Sequence, residues 1–213
     1  MQTTEQCPTR AEALALVQEW TPSESLRKHM LAVEAAMRAY AERFGDDVEA
    51  WGIAGLIHDF DYERYPNAEQ AADAEHPAAG VAHLRALGWP EAICEAVLGH
   101  AHYTGVPRVT RMAQALFACD ELTGLITASA LVKPSRAVAD VDVAGVRKKM
   151  KDKGFARGVN RDDVIQGAEA LGIPLDEHIA VVLGAMQRAA EALGLAGTPP
   201  VGGGTSTPVA GDA

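Results

Sequence analysis

Apolar positions along the 213 residues recur with helical spacing, and no run of any length alternates as a strand would. Helix starts are marked by Thr9 with Glu12 and by Thr21 with Glu24, both capping-box patterns, with Pro22 suited to a first helical position. A long helix is expected over 24–44, and a second begins after Asp46 and carries Trp51, Ile53, Leu56 and Ile57 into His58-Asp59. Residues 60–75 are polar and broken at Pro66, which predicts an irregular stretch. Further helices are expected over 77–87, 90–99 and 109–131, the last stopped by Lys133-Pro134, since the residue before proline disfavours the helical region. Beyond it the pattern predicts a short helix over 141–149, a glycine-containing loop, a helix over 160–171 capped by Asn160 with Asp163 at its third position, and a final helix over 174–193. The expectation is an all-α bundle forming one domain over 1–195. The Gly/Pro/Thr-rich segment 196–213 has little to bury and should be disordered.

Composition agrees with helix packed on helix: hydrophobic residues make up 48% but aromatics only 5%, while alanine and leucine abound. A net charge of -10 disfavours nucleic acid or an anionic membrane as the main partner. Lys148, Lys149, Lys151, Lys153 and Arg157, between Arg147 and Arg161, form a basic stretch inside this acidic chain. It reads either as a solvated helix face with its loop or as a patch that attracts an anionic substrate. The apolar run 113–132 approaches membrane-span length, yet Asp120 and Glu121 near its centre would be costly in lipid. Cys7, Cys94 and Cys119 are scattered, and no signal peptide is evident, so a reducing cytoplasm is the expected location. Cys94 and Cys119 lie in apolar helical runs and are expected in the core.

The chemistry starts at His58-Asp59, which closes an almost wholly apolar run, 51–57. A carboxylate beside an imidazole where a helix leaves the core is expensive unless paired or bound to a metal. The same conflict recurs at His29, between Leu26 and Val33, and at Asp120, after 115–119. One such group is ordinarily a satisfied core residue. Three on separate helices point to a metal site assembled inside a bundle. Mixed imidazole and carboxylate ligation suits Fe, Mn, Co or Zn better than Ca or Mg.

The order His29, His58-Asp59, Asp120 resembles the HD-domain superfamily of metal-dependent phosphohydrolases, over roughly residues 24–125. The segments 58–66 and 120–125, with 153–161, resemble a group of small prokaryotic HD proteins without an assigned substrate. Phe60-Asp61 depart from the HDIG subset, and no Gly-Tyr-Pro signature of cyclic-di-GMP phosphodiesterases is present. The resemblance implies an HD-type helical bundle with additional C-terminal helices. It also implies a second pair of histidines, His76 and His100, and hence two metal ions per chain. His29, His58 and Asp120 would hold one ion and His76 and His100 the other, with Asp59 bridging.

On that implied site, a water activated by the metals would attack a small phosphorylated substrate. Asp61, two residues beyond the bridge, is a candidate for orienting that water or a leaving-group proton, against the plainer reading of a loop carboxylate. His102 is a candidate proton donor facing the cavity of His100. Lys133, Arg136, Lys153 and Arg157 are candidates for binding substrate phosphate, and Tyr62 and Tyr65 for lining the pocket mouth. His83 reads as surface or core and His178 as structural. The same ligand order also occurs in HD-fold di-iron oxygenases, and a non-catalytic nucleotide-binding sensor is the third reading. Substrate, native metal and oligomeric state are not legible in the sequence.

Overall fold

A computed structural model describes residues 7–197. The expected disordered tail lies outside them except for Ala196 and Gly197. Among the described residues there is no β-strand, only an isolated bridge between Ala137 and Ala196. The fold is all-α, and no helix among the described residues is long and apolar enough to cross a membrane.

The helices in chain order are α1 (Arg10–Trp20), α2 (Glu24–Phe44), α3 (Val48–Ile57), α4 (Ala78–Ala86), α5 (Glu91–His100), α6 (Arg111–Leu131), α7 (Val143–Lys151), α8 (Arg161–Ala170), α9 (Leu175–Arg188) and α10 (Ala190–Leu193). Thr9 and Glu12 form the reciprocal cap expected for α1. The cap of α2 is Ser23, whose hydroxyl accepts from the Leu26 amide, rather than Thr21. Thr21 is buried, and its hydroxyl donates to the carbonyl of Phe60 at 3.0 Å, fastening the end of α1 to the loop after α3. The single helix expected over 174–193 is broken at Ala189, where the backbone leaves helical values (φ -94°, ψ 8°). The break lets Leu193 and Leu195 join the core and gives the Val138 amide a partner in the Leu195 carbonyl, a tertiary gain that local helix propensity cannot report.

Two apolar clusters share the interior. One gathers buried side chains of α1, α3, α4 and α5, from Val17 and Ile57 to Val81 and Val97. The other joins α2 and α6 to the C-terminal helices through Met37, Leu116, Val164 and Val182. Both long helices therefore run through the middle of the molecule. Cys94 and Cys119 are buried as expected, and Cys7 is exposed.

Glycines set how closely the site-bearing helices approach. A Cβ on Gly55 of α3 would lie 2.9 Å from the backbone nitrogen of Glu34, so α2 and α3 cross there with nothing between them. That crossing is one turn before His58, and it brings the rings of His29 and His58 to 5.1 Å.

Candidate metal centre

Four helices and one loop deliver the site. His29 comes from α2, His58 caps the end of α3 with Asp59 next, His100 ends α5, Asp120 lies in mid-α6, and His76 ends the irregular stretch before α4. Asp59 thus sits at the negative end of a helix dipole, where a lone carboxylate is disfavoured and a cation is welcome.

The six side chains form two groups of three: His29, His58 and Asp120, and Asp59, His76 and His100. Asp59 divides itself between them. Its Oδ2 is 3.4 Å from Nε2 of His58 and 3.8 Å from Nε2 of His29, while its Oδ1 is 3.4 Å from Nε2 of both His76 and His100. Asp120 Oδ1 is 3.0 Å from His29 Nε2 and 3.6 Å from His58 Nε2.

Each of the four imidazoles has its other nitrogen engaged. Nδ1 of His58 donates to the Gly55 carbonyl at 2.8 Å, and Nδ1 of His100 to the Val97 carbonyl at 2.5 Å. Nδ1 of His76 donates to Asp61 Oδ1 at 2.7 Å. Nδ1 of His29 faces the Thr123 hydroxyl at 3.4 Å, and that hydroxyl donates to the Asp120 carbonyl. These contacts fix the tautomer that leaves an Nε2 lone pair directed inward, the arrangement metal-binding histidines ordinarily have. Nε2 of His58 is fully buried without a hydrogen-bond partner. A buried nitrogen left orphaned in this way is costly unless something else binds it. Donor chemistry and the orphaned atom both fit divalent transition metals.

The electrostatics agree. Burial works against charge on Asp59, but His58 and His100 outweigh it and hold the carboxyl well below its usual range. Asp120 is likewise buried, and the imidazoles of His29 and His58 beside it outweigh burial and lower its pKa. Burial opposes protonation of His58 and His100, yet the adjoining carboxylates push both pKa values up. The centre is therefore a place that draws positive charge.

Residues 26–125 match the family model of the HD domain. This segment is an HD domain. The histidine–aspartate pair for which such domains are named is His58-Asp59, and HD domains are largely metal-dependent phosphohydrolases. Comparison with curated proteins found no match, and comparison with solved structures found none.

Around these six side chains lies a pocket of about 750 Å³. Its wall includes Tyr62, Gln70, His102, Tyr103, Glu121 and Asp163, with no lysine or arginine. Burial, then the charge on Asp120, raises the Glu121 carboxyl to about 7. Glu121 also accepts the Asn160 amide at 3.0 Å, so α8, which lies beyond the HD domain, completes the wall.

Several sequence expectations are revised by placement. Asp61 does not face the pocket: it has no exposure, and its oxygens accept from His76 Nδ1 and from the Gly80 amide at 2.7 Å. It positions a histidine instead of touching water. His102 lines the pocket, but Nε2 donates to Asp163 Oδ1 at 2.9 Å and Nδ1 faces Arg108 at 3.4 Å. Both ring nitrogens therefore have partners within the protein. Lys133, Lys153 and Arg157 do not line this pocket, because they sit on the far end of α6 and on an exposed loop. Arg136 lines a neighbouring chamber instead. Tyr65 packs toward Trp20, with ring centroids 6.2 Å apart, while Tyr62 does reach the pocket. His83 packs against Trp20 with ring centroids 4.5 Å apart, and His178 is buried.

Sequence reasoning missed Asn67, Thr123, Tyr103 and Gln70. Asn67 donates to the carbonyls of Ala71 and His76 and accepts from the Ala71 amide, folding the irregular stretch so that His76 returns to the centre. Tyr103 also donates to the His76 carbonyl, at 3.0 Å. Thr123 could have been found from its place three residues after Asp120, one turn along the same helix face.

Proposed function

We propose that this chain is a metal-dependent phosphohydrolase that hydrolyses a small phosphate ester at a centre of two divalent transition-metal ions. The observation that carries the reading is the division of Asp59: one oxygen faces each group of three, and all four neighbouring imidazoles present Nε2. His29, His58 and Asp120 would hold one ion and His76 and His100 the other, with Asp59 shared between them. Bound there, Mn, Fe, Co or Zn would supply a nucleophilic water at neutral pH and the positive charge that a phosphoryl group requires.

The chain's own residues do the rest. Asp61, the Gly55 and Val97 carbonyls and Thr123 each engage Nδ1 of one imidazole and fix its direction, so that Nε2 faces the centre. Asp59 and Asp120 together bring two negative charges, so two divalent ions leave an excess of positive charge for substrate. Because the pocket wall offers no lysine or arginine, that excess must carry the recognition of phosphate. Tyr62, Tyr103 and Gln70 offer uncharged aromatic and amide contacts to the rest of the substrate.

The test is the metal content of purified protein by elemental analysis, together with Asp59→Ala and His76→Ala and hydrolysis of p-nitrophenyl phosphate by each loaded form. The reading expects close to two metals in the parent, loss at Asp59→Ala, a fall toward one at His76→Ala, and metal-dependent hydrolysis. Iron with dioxygen consumption and no phosphatase activity would replace it with an oxygenase. A folded parent that takes up no metal after supplementation would leave a binding module.

A further inference from the structure

Beside the metal pocket lies a second chamber of about 500 Å³ that shares His29 and Gly124 with it. Its walls are mostly apolar, from Leu131, Leu193 and Leu195, and it holds the two cations Lys28 and Arg136. It thereby supplies what the metal pocket lacks. Lys28 pairs at 2.5 Å with Glu24, a largely exposed carboxylate that also lines the chamber, and an anionic ligand would compete with it for the ammonium. Arg136 makes no ion pair among the described residues, and its backbone is held at φ 55°, in the left-handed region few non-glycine residues adopt.

Gly124 supplies an independent observation. It lies in mid-α6, where glycine weakens a helix. Gly55, Gly80 and Gly167 are each demanded by packing, since a Cβ on any of them would meet another atom at 2.5–2.9 Å, whereas Gly184, on the far helix α9, is as uncrowded as Gly124. A Cβ on Gly124 would meet only Val159 Cγ2, at 3.7 Å, an ordinary contact. Packing therefore does not require this glycine. Gly124 lines both chambers, so its missing side chain leaves space at the wall they share.

We propose that the second chamber is a specificity compartment of the same site, taking the part of the substrate beyond the scissile phosphate: an apolar link ending in an anionic group such as a carboxylate. This rests on the phosphohydrolase reading for what occupies the metal pocket. With phosphate at the metals, the link passes His29 and Gly124, packs on Leu131, Leu193 and Leu195, and brings its anionic end to Lys28 and Arg136.

The test uses Mn-loaded protein and three non-hydrolysable ligands in calorimetry: methylphosphonate, phosphonopropionate and phosphonohexanoate. The readout is the affinity of each longer ligand relative to methylphosphonate. At least one longer ligand should bind about tenfold tighter or more. That ratio should collapse toward unity in Gly124→Leu, which fills the passage, and in the double variant Lys28→Ala with Arg136→Ala. No gain with chain length would overturn the compartment while leaving the phosphohydrolase reading in place. A gain untouched by both variants would overturn it too. If methylphosphonate does not bind but a longer ligand does, with the variant sensitivity above, the compartment stands and the phosphate site falls. Failure of all three ligands to bind would overturn both.

Discussion

Asp61 Oδ1 accepts from His76 Nδ1 at 2.7 Å, and Asp61 Oδ2 accepts the Gly80 amide at the same distance. A completely buried carboxylate is thus spent on orienting one imidazole. Gly80 is part of the device, because a Cβ there would lie 2.5 Å from the Asp61 carboxyl carbon. In Asp61→Asn the side chain can still accept from His76, but only by turning an amide NH₂ toward the Gly80 N–H. Metal held by His76 and His100 should then weaken by roughly tenfold to a hundredfold. Gly80→Ala should act in the same direction by displacing the carboxylate. Metal titration of the two variants decides it, and unchanged affinity in both would remove Asp61 from the metal centre.

A second buried imidazole sets a pH limit on the fold. His178 Nε2 donates to the Ala118 carbonyl at 2.9 Å, which leaves Nδ1 to accept from the Tyr40 hydroxyl at 2.6 Å. Accepting at Nδ1 needs the neutral ring, whereas the Nε2 donation does not, and burial lowers the pKa from 6.5 to about 4. Between these values the unfolded chain binds the proton and the folded chain does not, so stability falls as pH drops from 6.5 and the loss is complete near 4. Its full size is roughly 3 kcal/mol. His178→Gln can keep a donor for Ala118 and an acceptor for Tyr40 without titrating. Denaturant unfolding across this window should show the parent losing stability relative to His178→Gln, and parallel curves would contradict the assignment.

Parts of this were readable in the chain and parts were not. His58-Asp59 was legible because an apolar helix running into two titratable side chains is a local conflict, visible within ten residues. The positions of His76 and His100 needed resemblance to known HD domains, since neither sits in so apolar a setting. Asp61 could be seen as a carboxylate near the site but not as a partner of Gly80, a relationship across nineteen residues of irregular chain. Arg136 was expected on phosphate. Its place in an adjoining chamber depends on how α2, α6 and the chain after α10 pack together, which no local pattern encodes. The break between α9 and α10 is likewise a product of tertiary contacts, since 186–192 reads as good helix.

Helical glycines give a contrast that can be measured directly. Gly124→Ala should stabilise the protein by about 0.5–1 kcal/mol, because helix propensity is gained and only an ordinary contact with Val159 is made. Gly167→Ala should destabilise it by about 1–3 kcal/mol, because the new Cβ would lie 2.5 Å from the Ala118 Cα and force α8 away from α6. Thermal or denaturant unfolding of the two variants supplies the comparison. The same sign for both would show that the close approach of α6 and α8 is not rigid enough to discriminate.

Metal and phosphate should bind in strict order. Without metal, the pocket presents Asp59, Asp120, Glu121 and Asp163, and none of its lining residues is lysine or arginine. A phosphate brought there meets carboxylates in a partly buried setting, where like charges are weakly screened and repel strongly. Two bound divalent ions reverse the sign of that field. Inorganic phosphate should therefore give no measurable binding heat to metal-free protein and a clear one to the loaded form. Adding salt should weaken the loaded complex only modestly, since the charges that hold it are largely shielded from bulk water. Glu121→Gln with Asp163→Asn removes two of the repelling groups without touching a proposed ligand, so it should tighten phosphate binding to the loaded protein severalfold. Tight phosphate binding to the metal-free chain would mean that cations elsewhere recognise the anion, with Lys28 and Arg136 the first to substitute.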